Sequence, residues 1–404
     1  MLPIGFKVGG GYVGISKNMD MKKYDLALFL SEKPASAAGV FTKNLVKAAP
    51  VNISITRLQK KSSLFYGIVA NSGCANACTG HQGNVDAEYI CTSVENSLNL
   101  QKGTILCAST GIIGKPININ DKFLPKNINY IINNSMGTSA KNEDDAILGI
   151  MTTDTFIKKV SKQIFFDNKK VTIWGCVKGA GMIHPNLSSS KHATMLAFIL
   201  TDIQVDNKVL QKILENSLED SFHSISIDGD TSTNDSIIVL ANGMSDVTVS
   251  SNRDLYKFAE AFNEIMIELA KLVVKDGEGA TKFIEIEIKN LKTKNDAKKI
   301  ASTIATSPLV KTALFGSDLN WGRIIAAIGR SGVSFNLNKI DLYIANIKIL
   351  NNGEVIKFPI KTVKESLCRK TIKLIIDFND GDKSTKYYTC DLSYNYVKIN
   401  SEYN

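Results

Sequence analysis

A polar stretch rich in glycine and serine, Lys178-Gly-Ala-Gly-Met-Ile-His-Pro-Asn186 and then Leu187-Ser-Ser-Ser-Lys-His192, runs directly into an apolar segment that begins Ala193-Thr194-Met-Leu-Ala-Phe. A threonine hydroxyl is a poor nucleophile at its ordinary pKa and needs a neighbouring base. Cutting the chain before Thr194 would make that residue N-terminal. Its own α-amine, which titrates at about 7.7–8.0, would then be the base. Ala-Thr is a common dipeptide, so residue types alone equally allow an ordinary junction between loop and strand.

Other spacings suggest different chemistry and match it less well. Ser188-Ser-Ser-Lys191, Ser232-Thr-Asn234 and Lys311-Thr-Ala313 echo the three elements of penicillin-binding serine acyl-enzymes. The third element lacks its glycine, and the first should open a long helix where an apolar strand pattern begins instead. Gly9, Gly11 and Gly14 have the GxGxxG spacing of a dinucleotide site. That motif needs a preceding strand and a following amphipathic helix. Neither is legible, so the expectation is a flexible glycine turn. Asp228-Gly-Asp-Thr-Ser-Thr-Asn-Asp235 starts like a calcium loop but lacks glycine at the sixth position and glutamate at the twelfth, and reads as a turn. The four histidines, His81, His184, His192 and His223, have no metal-ligand spacing and read as structural or solvated. The seven cysteines are odd in number and form no CxxC, which points away from a zinc ribbon or a disulfide framework.

Elements that could position such groups are readable in several places. Residues 206–220 place Val209, Leu210, Ile213, Leu214 and Leu218 on one helical stripe, and residues 254–274 repeat the pattern. Phe283-Ile-Glu-Ile-Glu-Ile-Lys alternates with period two, as a half-buried strand does. Apolar runs at 171–177 and 195–201 predict buried strands. Hairpins are expected around Asn351-Asn-Gly353 and Asn379-Asp-Gly-Asp382. Interleaved helices and strands make the class α/β or α+β. With 404 residues, 44% apolar and 22% charged, the chain has an ordinary globular composition and excludes a disordered tail or a collagen-like repeat.

The net charge of +9 is uneven: residues 1–193 hold 22 Lys+Arg against 12 Asp+Glu, a balance of +10, and the rest hold 26 against 27, a balance of −1. The lysines are scattered and form no arginine-rich stripe, so no nucleic acid partner is expected. A modest positive field suits small anions such as amino-acid carboxylates. No run approaches the roughly 20 apolar residues of a membrane span. The start lacks the pattern of a signal peptide. A cytoplasmic protein without a membrane partner is expected.

Taken together, several long blocks in order resemble the ArgJ family, the glutamate N-acetyltransferases (ornithine acetyltransferases) of arginine biosynthesis. They are the 178–198 stretch, Asn71-Ser-Gly-Cys-Ala-Asn-Ala-Cys-Thr-Gly80, Ala108-Ser-Thr-Gly-Ile-Ile-Gly114, Met151-Thr-Thr-Asp-Thr155, residues 225–235, Asp276-Gly-Glu-Gly-Ala-Thr-Lys282, Asn320-Trp-Gly-Arg323 and residues 390–400. The resemblance covers essentially the whole chain. It implies an α+β layered sandwich of the self-cleaving, N-terminal-nucleophile-like kind that ArgJ shares with DmpA. It further implies self-cleavage between Ala193 and Thr194 into an α chain, 1–193, and a β chain, 194–404, assembled as two of each. Thr194 would attack the acetyl group of N2-acetyl-L-ornithine, Thr110 and Gly111 would form the oxyanion hole, and L-glutamate would take the acetyl group in a ping-pong cycle. Thr152, Lys178, Thr194, Glu278 and Asn400 would contact substrate. No cofactor or metal is implied, with acetyl-CoA a candidate second donor.

Two departures bear on this expectation. The family usually runs Pro-Asn-Met-Ala-Thr, whereas Leu187–His192 here replaces the single methionine, a longer loop beside the bond to be cut. Family chains usually continue past the equivalent of Asn404 with a Thr or Ser that touches substrate, a contact expected to be missing or replaced. Two rivals follow: an N-terminal-nucleophile amidase or aminopeptidase that passes the acyl group from Thr194 to water, and an uncleaved, inactive binding protein.

Overall fold

The computed structural model describes residues 1–15, 23–60, 64–117, 123–185, 187–188, 195–249 and 251–402. Ala193 and Thr194 lie outside the described residues, as do His192 and most of the inserted loop. The chain divides into two compact units. The first comprises 1–179, 185–218 and 231–269; the second comprises 180–184, 219–230 and 270–404. Both units draw on chain before and after residue 193, so the expected α and β chains would each contribute to both.

The first unit is built on a mixed sheet of nine strands among the described residues. Its order is Ile105–Ser109, Phe65–Asn71, Leu26–Thr42, Ser236–Ala241, Leu196–Thr201, Lys169–Lys178 and Lys158–Phe166, with Phe6–Gly11 and Leu187–Ser188 also paired to Leu26–Thr42. Successive strand residues face opposite sides. Leu26, Leu28 and Leu30 accordingly enter one core with Val69, Cys91 and Cys107, while Ala27 and Phe29 enter the other with Trp174, Phe198 and Leu240. Leu196–Thr201 and Ser236–Ala241 are buried along their whole length. Burial on both faces explains why they read as continuous apolar runs. Helix Gly80–Ser97 adds Ile90, Cys91 and Val94 to one core, and helix Ala140–Leu148 adds Ala146 and Ile147 to the other.

The first three glycines of the Gly9–Gly14 segment are not a flexible turn, although Gly14 lies in a bend with positive φ. Gly9, Gly10 and Gly11 lie inside strand Phe6–Gly11, antiparallel to Leu26–Thr42. A Cβ on Gly10 would stand 2.1 Å from the Asp145 carbonyl oxygen, and one on Gly9 would stand 2.4 Å from that of Ser135. Gly10 lets the strand backbone approach that of helix Ala140–Leu148, and Gly9 lets it approach the backbone at Ser135.

The second unit holds a seven-stranded sheet among the described residues, ordered Glu354–Val355, Ile347–Asn351, Asp341–Ile344, Thr371–Asp377, Phe283–Leu291, Lys383–Cys390 and Ile225–Ser226. The alternation read at 283–289 is observed: Ile284, Ile286 and Ile288 enter a core with Ile372, Leu374 and Ile376. Glu287 instead meets Lys373 at 2.7 Å on the outer face. The Asn351-Asn-Gly353 turn closes the expected hairpin, with positive φ at Asn352 and Gly353 as a tight two-residue turn requires. The hairpin expected at 379–382 does not form. Thr371–Asp377 and Lys383–Cys390 both pair with Phe283–Leu291, one parallel and one antiparallel, so the earlier strand lies between them.

The helices read at 206–220 and 254–274 are observed as Asn207–Leu218 and Asn252–Lys275. The class is α/β, as expected. Replacing Ile286 by Ala should cost about 2–5 kcal/mol in denaturant unfolding, because it empties a fully buried site. Glu287→Ala removes a partly exposed ion pair and should cost under about 1 kcal/mol.

Candidate active site

Strand Ile105–Ser109 ends at Thr110, whose N–H donates to the Asn71 carbonyl at 2.9 Å. The Asn71 side chain in turn donates to the Cys74 carbonyl at 3.0 Å, and the Ser109 hydroxyl donates to the Ala75 carbonyl at 2.6 Å. Asn234 adds bonds from its amide to the Ser109 and Ala75 carbonyls. Gly111 therefore follows a rigidly tied strand end. Its φ of +131° is a conformation that L side chains rarely adopt, and a Cβ there would lie 2.5 Å from the Gly73 carbonyl carbon. Residues 110 and 111 can thus present a hydroxyl and a backbone amide in a fixed geometry, which is what stabilising a developing oxyanion demands.

Lys178 closes strand Lys169–Lys178 and is buried. Its ammonium donates to the Thr110 hydroxyl at 3.0 Å and to the Thr152 hydroxyl at 3.0 Å. Behind them lies Asp154. One of its oxygens accepts from the Lys158 ammonium and from the Gly179 N–H, each at 2.6 Å, and the other accepts from the Thr152 N–H at 3.1 Å. Burial would raise the Asp154 carboxyl, but the charges of Lys178 and Lys158 and the donated hydrogen bonds outweigh it and hold its pKa at about 2. Thr152 and Asp154 also border a recess of about 460 Å³, a volume suited to a small ligand, with Lys23, Tyr24 and Asp145.

The sheet register ties this cluster to the expected nucleophile. Lys178 is the partner of Leu196 across the antiparallel pair, and Leu196 is two residues beyond Thr194. Met195 is fully buried, and its carbonyl accepts from the Ser236 N–H at 2.7 Å.

In the second unit, Glu278 sits between Gly277 and Gly279 and is 8% exposed. Its N–H donates to the Ala180 carbonyl at 2.8 Å, and its carboxylate accepts from the Asn400 amide at 2.9 Å. A Cβ on Gly181 would fall 2.3 Å from that carboxylate, and one on Gly279 would fall 2.4 Å from the Tyr396 nitrogen. Gly279, with its φ of +67°, is therefore required for the close approach of helix Tyr394–Ser401, whereas a side chain at 181 would displace the Glu278 carboxylate itself. Asp228 accepts from the Met182 and Ile183 N–H groups at 2.6 and 2.8 Å, fixing the turn at residues 181–183. Burial pushes the Asp228 carboxyl up against the effect of these bonds. Burial, then the charges of Asp228, Glu278 and Asp230, push the Tyr396 phenol up and keep it protonated.

Of the residues expected from sequence, Thr110, Gly111, Thr152 and Lys178 come together in the first unit, and Glu278 and Asn400 in the second. Asp154, Lys158 and Asp228 were not singled out for these roles. Asp154 stands inside the Met151–Thr155 block, but nothing local shows that a carboxylate there faces residues 178 and 179. His184 is half-buried, and the desolvation of its ring lowers its pKa. His223 meets Glu219 at 3.0 Å. Among the described residues no group of three or more His, Cys, Asp or Glu is placed to hold a metal ion.

Residues 7–404 match the model of the ArgJ family. A protein of Caldanaerobacter subterraneus subsp. tengcongensis named arginine biosynthesis bifunctional protein ArgJ is 42% identical to this chain, covering 100% of it and 97% of the relative. One of the same name from Thermotoga neapolitana is 41% identical over 98% of each chain. The crystal structure of arginine biosynthesis bifunctional protein argJ from Bacillus halodurans aligns with a TM-score of 0.50 and 39% identity, covering 52% of this chain and 99% of that one.

Gly111→Ala should lower the melting temperature and reduce any acyl-transfer rate by at least about tenfold, since it must shift the Gly73–Cys74 backbone. A depressed carboxylate pKa stabilises the fold above the unfolded value, about 3.9, and loses that effect as pH falls through the folded value. For Asp154 the contribution is about 2 kcal/mol. The stability gap between wild type and Asp154→Asn should therefore narrow between about pH 4 and pH 2 in urea titrations.

Proposed function

The chain belongs to the ArgJ family, and we propose that it matures by cutting itself between Ala193 and Thr194 and then carries an acetyl group from N2-acetyl-L-ornithine to L-glutamate on the Thr194 hydroxyl. It is an arginine-biosynthesis enzyme, an ornithine acetyltransferase. The observation that supports Thr194 as nucleophile is the register of the first sheet, in which Lys178 faces Leu196 two residues further on.

Once the Ala193–Thr194 bond is cut, the Thr194 amine accepts the hydroxyl proton as the oxygen attacks the acetyl carbonyl carbon. The carbonyl electrons move onto oxygen, and the Thr110 hydroxyl and Gly111 amide stabilise that charge; such donors are each typically worth about 10²–10³ in rate. Collapse of the intermediate breaks the bond to the ornithine N2, which takes the proton held by the amine, and ornithine leaves. The glutamate amine then attacks the acetyl ester by the same steps in reverse, regenerating the Thr194 hydroxyl. Lys178 favours the uncharged form of the Thr194 amine through its positive charge, or pairs with a substrate carboxylate. Thr152 contacts substrate beside it. Glu278 offers a carboxylate to the cationic ornithine side chain, and Asn400 orients that carboxylate through their hydrogen bond. The mature protein is two α chains, 1–193, and two β chains, 194–404, in the cytoplasm.

Intact-protein mass spectrometry tests this directly. Wild-type protein should consist of two chains divided at 193/194, and incubation with N2-acetylornithine should add one acetyl group to the β chain. Glutamate should then discharge it as N-acetylglutamate. Thr194→Ala should remain one uncut chain. Acetate release that glutamate does not divert would mean a hydrolase. Acetylation by acetyl-CoA in the same experiment would make that thioester a second donor.

A further inference from the structure

An ion pair sunk completely into the first unit stands directly behind the groups proposed to meet the substrate. The side chains of Asp154 and Lys158 are both fully buried and 2.6 Å apart. Taking two charges out of water carries a desolvation cost that their attraction often fails to recover, and well-packed apolar side chains of similar volume commonly serve stability as well or better. Fold stability is therefore a weak reason for the pair, and its hydrogen bonds suggest a stronger one.

Asp154 grips both residues that set the position of Lys178. Its first oxygen binds the N–H of Gly179, the residue that follows Lys178, and its second binds the N–H of Thr152, whose hydroxyl accepts from Lys178. Lys158 completes the hold, its ammonium on the first oxygen and 5.1 Å from the centre of the Phe156 ring. The Lys178 ammonium is left between the Thr110 and Thr152 oxygens, 3.0 Å from each. A hydroxyl whose oxygen accepts from an ammonium keeps its hydrogen to donate elsewhere. This orients Thr110 as a donor, the role an oxyanion hole requires.

We infer that the Asp154–Lys158 pair is a positioning device for acetyl transfer, with Asp154 holding Lys178 and Thr152 so that the Thr110 hydroxyl is aimed as a donor at the reacting carbonyl. The inference rests on the acetyltransferase reading given above. The low pKa of Asp154 agrees with it, because the carboxylate stays charged throughout the range in which the enzyme would work. Asp154 and Lys158 touch no substrate; they act through Lys178, Thr152 and Thr110.

The test separates positioning from stability. Asp154→Asn leaves Lys158 buried without its counter-charge, and should lower both the melting temperature and kcat/KM for N2-acetylornithine. The double variant Asp154→Asn/Lys158→Met leaves no unpaired charge at 158 and should recover most of the melting temperature, the remainder reflecting Lys178, which still loses the charge of Asp154. Its kcat/KM and its rate of acetyl-enzyme formation should nevertheless stay at least about 10²-fold below wild type, since misplacement by about 1 Å can cost that much. Asp154→Glu keeps the charge and moves the oxygens outward by about one bond length. It should lose at least about tenfold in kcat/KM, and it carries the test if either other variant fails to fold. A double variant or a Glu variant with wild-type kcat/KM overturns the inference. Wild type is assayed alongside: if it transfers no acetyl group, the acetyltransferase reading falls and takes this inference with it. If wild type is active and a variant matches it, the inference alone falls.

Discussion

The antiparallel register between Lys169–Lys178 and Leu196–Thr201 is the constraint on which the arrangement of the first unit depends. Both strands are buried at the site end, and a slip of one residue would turn every side chain to the opposite face. Cys176 and Phe198, paired in that register, enter one core together with Trp174 and Leu200. The packing of Phe29 against Phe198, with ring centres 4.9 Å apart, ties the same core to the long strand Leu26–Thr42, beyond Ser236–Ala241 in the sheet. Core packing thus decides where Lys178 ends up, and the chemistry inherits a position that apolar burial has already selected.

At the end of that strand the structure changes character from apolar packing to a connected set of polar groups. Lys178, Thr110, Thr152, Asp154, Lys158 and the Gly179 amide form a chain of hydrogen bonds in a buried setting. Interiors of low polarity strengthen such bonds and also raise the cost of any group left without a partner. A network of this kind tolerates few arrangements, which makes it rigid. Rigidity is what the oxyanion hole proposed at residues 110 and 111 would need, because donors that must reorganise during reaction lose much of their benefit. Gly111 and the hydrogen bonds donated by the Asn71 and Asn234 side-chain amides fix the end of strand Ile105–Ser109 in the same way.

The second unit uses different means to fix a carboxylate. Glu278 is carried on a short glycine-flanked turn; backbone packs closely on Gly279, and the absence of a side chain at Gly181 leaves the space that the carboxylate occupies. Its partner Asn400 comes from the last described helix. A neutral amide orients the carboxylate without cancelling its charge, which leaves that charge available to a cation. Asp154 contrasts with it: two lysines surround that carboxylate, which suits a supporting role better than ligand binding.

Much of this was legible from sequence, for identifiable reasons. Helices Asn207–Leu218 and Asn252–Lys275 and the alternating strand Phe283–Leu291 follow from local apolar periodicity, which burial of one face imposes. Family membership followed from long ordered blocks, and with it the choice of Thr110, Gly111, Thr152, Lys178, Glu278 and Asn400. Tertiary structure decided the rest. Asp154 meets Gly179 across 25 residues of chain, Gly10 is needed because a helix presses on its strand, and Phe283–Leu291 lies between two strands that looked like neighbours. Periodicity reports which face of an element is buried, whereas contacts of this kind depend on what another part of the chain brings to that face, and they exist only once the sheets have assembled.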